Sequence, residues 1–243
     1  MFNGQNKVTM KKTIVLLCLA VFNLSVFSQN NDANYKIGVR QISLDVNRAF
    51  LDLRDSEFKQ IKGSPYDSDM FLLGSIFQNE QLVEKNAFLR YNIFSNEIEI
   101  KKSSSDTEYN ALIRNSDMII KIEDDVFVLI PFEGEDEKGS YFKIISSGAH
   151  LDLYKRSSVE YTPRTFPKTS YDREKPAKFM RTDSYYLMLK DGKFVEMPKK
   201  KSKLLKIMKR NENEIKDFIK VNHINLKEEN DLIKLVKFYN SLL

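Results

Sequence analysis

The side chains that could do reactive chemistry in this chain are few: two histidines, one cysteine and a scatter of carboxylates. Cys18 lies inside an apolar leader. A chain that has lost that leader has no thiolate nucleophile and no disulfide framework. A structural or catalytic zinc centre is built from three or four nitrogen, sulfur or carboxylate ligands, and His150 and His223 alone fall short of a histidine-based set. Either histidine could in principle serve a serine nucleophile. Neither sits in a Gly-x-Ser-x-Gly elbow or a His-Glu-x-x-His helix.

The carboxylates give two groupings. Glu97 and Glu99 alternate with Ile98 and Ile100, so on a strand they share a face and could act as an acid–base pair. The same alternation is the ordinary pattern of a strand with one wet face and one buried face, and that is the expectation here. Glu133, Glu135, Asp136 and Glu137 offer the oxygen ligands calcium favours, but without the ordered spacing of an EF-hand loop, so a solvated turn is expected. There is no glycine-rich phosphate loop. The sequence therefore assigns no catalytic residue, no metal ligand and no cofactor.

Two places could make a binding surface. Lys199, Lys200, Lys201 and Lys203 form the densest basic run, suited to anionic lipid, a surface polymer or an acidic envelope protein, although a charge run of this kind is more often a solvated helix start. The second is Gly63-Ser64-Pro65-Tyr66 together with Arg90 and Tyr91, where Arg90 interrupts an apolar run. The plainer reading of that second place is a tight turn packed on a strand, with Arg90 paired to an acid. The aromatic side chains at 66, 71, 77, 88, 91, 94, 127, 132, 141 and 142 could line a ligand cavity, although a filled core is the default.

The elements that would position these residues are legible from periodicity. At 42% hydrophobic and 30% charged, the 243 residues suit one globular domain with a small appendage. Helical spacing runs over 42–54. From 71 to 197 the period is two. Four hairpins are expected: 88–94 with 97–102 around Ser95-Asn96, 117–122 with 126–130 around an acidic turn, 141–145 with 149–154 around Ser147-Gly148, and 185–190 with 193–197 around Asp191-Gly192. The last is the strongest, because Asp-Gly suits the positive φ angles of a type I′ turn. Residues 156–181, with Pro163, Pro167 and Pro176, read as a long loop.

After Pro198 the period becomes helical, with apolar stripes at Leu204, Ile207 and Met208, then at Ile215, Phe218 and Ile219, then from Leu232 to Leu242. Asn211 with Glu214, and Asn225 with Glu228, have the spacing of helix caps. The fold class expected is mainly β, an antiparallel meander curled into a barrel or folded as a sandwich, with a C-terminal bundle of short helices: α+β overall. Residues 29–198 form the β domain and carry 24 basic and 28 acidic groups. Residues 199–243 carry 12 and 6, a basic tail expected to pack on that domain.

Lys11 and Lys12, the apolar stretch from Ile14 to Phe27, and Ser28 before a polar segment have the three-part layout of a secretory signal. Cleavage is expected after Ser28, with Met10 as an alternative start. The remaining chain nets +2, and the basic run lacks interleaved aromatics, which argues against a nucleic-acid binder. No membrane-spanning helix is expected once the leader is gone.

Gly63-Ser64-Pro65-Tyr66 with Phe71 and Gly74, Leu89 to Ile93 with Glu97-Ile98-Glu99, Tyr185-Tyr186 before Asp191-Gly192-Lys193, and the tail from Lys199 to Leu243 resemble a family of exported proteins of unknown function common in Bacteroidota. That resemblance implies export into a Gram-negative envelope, in the periplasm or beyond it, and carries no activity. The function expected is a non-enzymatic binding or interaction protein. The alternative is an extracytoplasmic hydrolase using a carboxylate or a histidine.

Overall fold

The structure is a computed structural model that describes residues 38–41, 61–131, 139–169, 171–208 and 211–242. The expected leader, the helix over 42–54 and the acidic loop at 133–137 lie outside the described residues. The architecture below is that of the compact unit Lys36–Leu243.

Its fold is mainly antiparallel β with three short helices near the C-terminus. Eleven strands are described: β1 (Val39–Gln41), β2 (Leu72–Gln78), β3 (Gln81–Asn92), β4 (Glu97–Lys101), β5 (Asn110–Leu112), β6 (Met118–Ile122), β7 (Asp125–Ile130), β8 (Ser140–Ser146), β9 (Leu151–Thr162), β10 (Lys178–Leu189) and β11 (Phe194–Glu196). They form one sheet in the order β1-β5-β4-β3-β2-β6-β7-β8-β9-β10-β11. It is two meanders joined where β6 pairs with β2.

All four expected hairpins are present, at β3–β4, β6–β7, β8–β9 and β10–β11. Their turns place Asn96, Glu123 and Gly192 at positive φ; Asp191 is not at positive φ, so the last turn is not the expected type I′ but a longer one with Gly192 alone left-handed. A fifth hairpin, β2–β3, turns on Asn79 and Glu80, both at positive φ.

The expected loop at 156–181 is shorter than that, with strand at both of its ends. β9 and β10 pair residue for residue from Leu151↔Leu189 to Thr162↔Lys178, leaving only the connection near 163–177. A ladder needs backbone partners, not apolar side chains, so a charged, half-solvated stretch pairs readily once its partner strand is in place.

Gly63-Ser64-Pro65-Tyr66 is a strap between distant strands. Lys62 bridges Lys178 at the start of β10, and Tyr66 bridges Asn92 at the end of β3. In the sheet order those strands are six steps apart. A flat sheet would hold them about 29 Å apart at roughly 4.8 Å per step. Four residues reach at most about 14 Å. The sheet must therefore curl. The Pro65 carbonyl accepts from the Ile93 and Phe94 amides (2.9 and 3.1 Å), and Lys62 exchanges bonds with Ala177 and Phe179 (3.0 and 2.8 Å). An Arg181–Asp67 ion pair at 2.8 Å adds to the seam.

The core has two parts. One lines the sheet from β2 to β8 with Ile76, Leu89, Tyr91, Ile98, Ile120, Phe127 and Tyr141, and Val159 of β9 packs against it. The Tyr91 ring meets those of Phe127 and Tyr141 at 5.3 and 5.8 Å, so aromatic side chains fill this interior.

The second part lies between the far end of the sheet and the helices α1 (Lys201–Ile207), α2 (Glu212–Val221) and α3 (Glu229–Ser241). Leu151, Leu153 and Leu187 meet Leu204, Ile215, Leu232, Leu235 and Val236 there, all at 2% exposure or less. Asn240 fastens α3 to the turn before β9. Its amide oxygen accepts from the His150 and Leu151 backbone (2.9 and 3.0 Å), and its nitrogen donates to the Leu151 and Val236 carbonyls (2.8 and 3.0 Å). Gly148 leaves it room: a Cβ there would lie 2.1 Å from the Asn240 side chain.

The expected caps do not form. Asn211 precedes α2 in a left-handed conformation with no side-chain cap, and α3 starts at Glu229, beyond Asn225. The Asn225 side chain instead accepts from the Lys227 amide, closing a turn before the helix.

Candidate functional site

Of the residues singled out in the sequence, the fold brings Tyr66 and Arg90 together. Adjacent residues on a strand point to opposite faces, so Arg90 and Tyr91 part company on β3. Tyr91 is buried, with its hydroxyl 3.2 Å from the Asn96 amide oxygen.

Arg90 is held on every side. Nε and Nη2 donate to Glu99 Oε2 at 2.9 and 2.6 Å, and Nη1 donates to the Asp69 carbonyl at 3.1 Å. Its guanidinium lies 3.7, 4.3 and 5.3 Å from the ring centroids of Tyr66, Phe71 and Tyr109. Planar guanidinium stacks well on aromatic faces and forks onto a carboxylate. Burial holds the Tyr66 hydroxyl well above the usual phenol range, with the Glu99 charge pushing the same way and Arg90 opposing.

Glu97 and Glu99 are not on a wet face. Glu97 is 4% exposed and Glu99 fully buried, and so is Ile98 between them. β4 is covered on both sides because Arg90, its cross-strand neighbour, carries the charge that makes a buried Glu99 tolerable. The other Glu99 oxygen accepts from Asn92 Nδ2 at 2.9 Å. Both oxygens of that carboxylate are thus engaged in holding strands together. A shallow cavity of about 340 Å³ lies beside Arg90, between Phe71, Phe88, Lys101 and Tyr109.

The basic run lies at the start of the helical tail. Lys199, Lys200, Lys201 and Lys203 are all exposed. None of them makes an ion pair or a side-chain hydrogen bond with a described residue. Two other cations in this half of the molecule are neutralised: Lys155 pairs with Glu229 at 2.7 Å and Lys234 with Asp231 at 3.0 Å. Lys200 is the N-cap residue of α1, and the first turn of that helix has no acid. Positive charge opposes the helix dipole at that end.

Sequence reasoning did not single out Lys216 or Lys220, and weighed His223 only as a metal ligand or catalytic base; the three share a cavity with Lys201 between α1 and α2. The signal was present in the i, i+4, i+7 spacing of 216, 220 and 223 beside the apolar stripe of α2. His150, the other histidine, donates its backbone amide to Asn240.

Among the described residues no group of three or more histidine, cysteine, aspartate or glutamate side chains is placed to hold a metal ion, and no helix is long and apolar enough to cross a membrane. No family model, no curated protein and no solved structure matches the chain.

Proposed function

We propose that this chain is an exported, non-enzymatic binding protein whose contact surface for an anionic envelope component, lipid or polymer, is the start of its helical tail. The observation that carries this reading is the exposure of Lys199, Lys200, Lys201 and Lys203 without a counter-charge among the described residues. Cations crowded at a helix start raise the energy of the free protein by mutual repulsion and by opposing the dipole. An anionic surface relieves both, and each lysine near such a surface contributes about 1 kcal/mol of attraction. The signal-like leader and the resemblance to exported proteins of the Bacteroidota envelope support the same location, in the periplasm or outside the cell.

The β domain serves as the rigid support. Asn240 and the Lys155–Glu229 pair fix α3 to the sheet, and α3 in turn packs on α2, with Phe218 and Phe238 stacked at 3.9 Å. Co-sedimentation with phosphatidylcholine vesicles containing phosphatidylglycerol tests the reading. The Lys199→Gln/Lys200→Gln/Lys203→Gln chain is expected to lose most of the binding shown by the parent. Equal binding by the two chains would remove the lysine run from the contact.

A further inference from the structure

The cavity between α1 and α2 has a composition unlike a solvated helix junction. Its volume is about 440 Å³, and its lining is Lys201, Leu205, Lys216, Ile219, Lys220, His223 and Ile224. Leu205, Ile219 and Ile224 belong to the helix core and form an apolar floor. Four basic side chains surround them, and among the described residues no acid contributes to the lining. Lys201, Lys216 and Lys220 form no ion pair with a described residue.

The turn that closes the cavity is built for this arrangement. Ile224 N donates to the Ile219 carbonyl at 3.0 Å and His223 N to that of Lys220 at 3.3 Å, the paired bonds of a Schellman helix end. His223 takes the left-handed position, φ 51°, that glycine fills most cheaply. An imidazole thus stands at the rim where a smaller residue would close the helix at lower cost.

We propose that this cavity binds a single-chain fatty acid, its carboxylate among Lys201, Lys216 and Lys220 and its methylenes against Leu205, Ile219 and Ile224. A free inorganic anion would leave the apolar floor unused. A neutral apolar molecule would leave three ammonium groups unpaired. Only an amphipathic anion answers both, and pockets of this size hold one small ligand. The inference rests on the tail being an anion-binding surface and narrows it to one ligand class.

Dodecanoate, kept below its micelle concentration, is titrated into the whole chain as purified, with isothermal calorimetry as the readout. Saturable binding of a single dodecanoate is expected. Lys216→Gln/Lys220→Gln is expected to weaken it about tenfold, the loss of one charge-assisted hydrogen bond or more. Both lysines are exposed, so the fold is retained. Dodecanol, with the same chain and no charge, is expected to bind more weakly. No saturable binding, unchanged affinity after Lys216→Gln/Lys220→Gln, or equal affinity for dodecanol would overturn the proposal. Vesicle binding without dodecanoate binding would refute the fatty-acid site while leaving the anionic surface standing.

Discussion

A Cβ at Gly63 would lie 2.5 Å from the carbonyl oxygen of Phe179. That proximity, with φ +84° at Gly63, is how a five-residue strap reaches from β3 to β10 and holds the sheet in its curl. Gly63→Ala introduces both a left-handed alanine and a backbone clash. It is expected to destabilise the fold by about 2–3 kcal/mol, read as a lowered urea midpoint. A midpoint unchanged from the parent would mean that the strap is not seated as described.

Arg90 and Glu99 form a buried pair whose side chains are 11% and 1% exposed. Removing one partner strands the other, so Arg90→Met is expected to cost about 3–5 kcal/mol. Arg90→Met/Glu99→Gln is expected to recover part of that loss, since no lone charge stays inside. A double mutant no more stable than Arg90→Met would show that the cost comes from the aromatic stack over Tyr66 and Phe71, not from the carboxylate.

The stability of α1 is expected to improve when its proposed contact surface is altered. Lys200 occupies the N-cap in an extended conformation without a side-chain acceptor. Lys200→Asp supplies that acceptor and a favourable charge, worth about 1 kcal/mol. Thermal unfolding should shift upward while vesicle binding falls. A downward shift would contradict the placement of the helix start.

The tyrosines set an alkaline limit. Burial pushes the Tyr141 hydroxyl up to about 12 from 10.0, with the nearby Arg114 charge acting in the opposite direction. Tyr66, Tyr91 and Tyr185 are raised as well, each chiefly by burial. The folded chain therefore keeps protons that the unfolded chain gives up. Stability from these groups is intact below pH 10 and falls as pH rises from 10 towards 12. Tyrosinate absorbance should appear in two stages, the later one together with loss of the native circular dichroism. A single stage near 10 in a chain still folded would contradict the burial of these rings.

The hairpins were legible because their information is local. Gly192 supplies its own positive φ, and Tyr186, Leu187 and Met197 supply buried side chains on either side. The burial of Glu99 was not legible, because it depends on Arg90 lying opposite it across a strand pair, and a carboxylate alternating with isoleucine reads as a wet face. The strap was visible as a turn-rich segment, but its partners, Asn92 and Lys178, lie far along the chain. Asn211 does stand at the N-cap of α2, but its side chain bonds the Leu242 carbonyl and not a helix amide; the start of α3 was misplaced at Asn225, whose side chain accepts from the Lys227 amide. The lysine run was read from sequence. The cavity behind it needed two helices to be packed together before Lys201 and Lys216 could be seen as neighbours.

The most direct test of the proposed function is the partition of the whole chain between buffer and vesicles, with and without phosphatidylglycerol, as salt is raised. Binding to the anionic vesicles alone is expected, falling steeply as screening shortens to about 8 Å near physiological ionic strength and below that at higher salt. Binding that is equal on both vesicles, or insensitive to salt, or absent on both, would contradict an anionic contact through the helical tail.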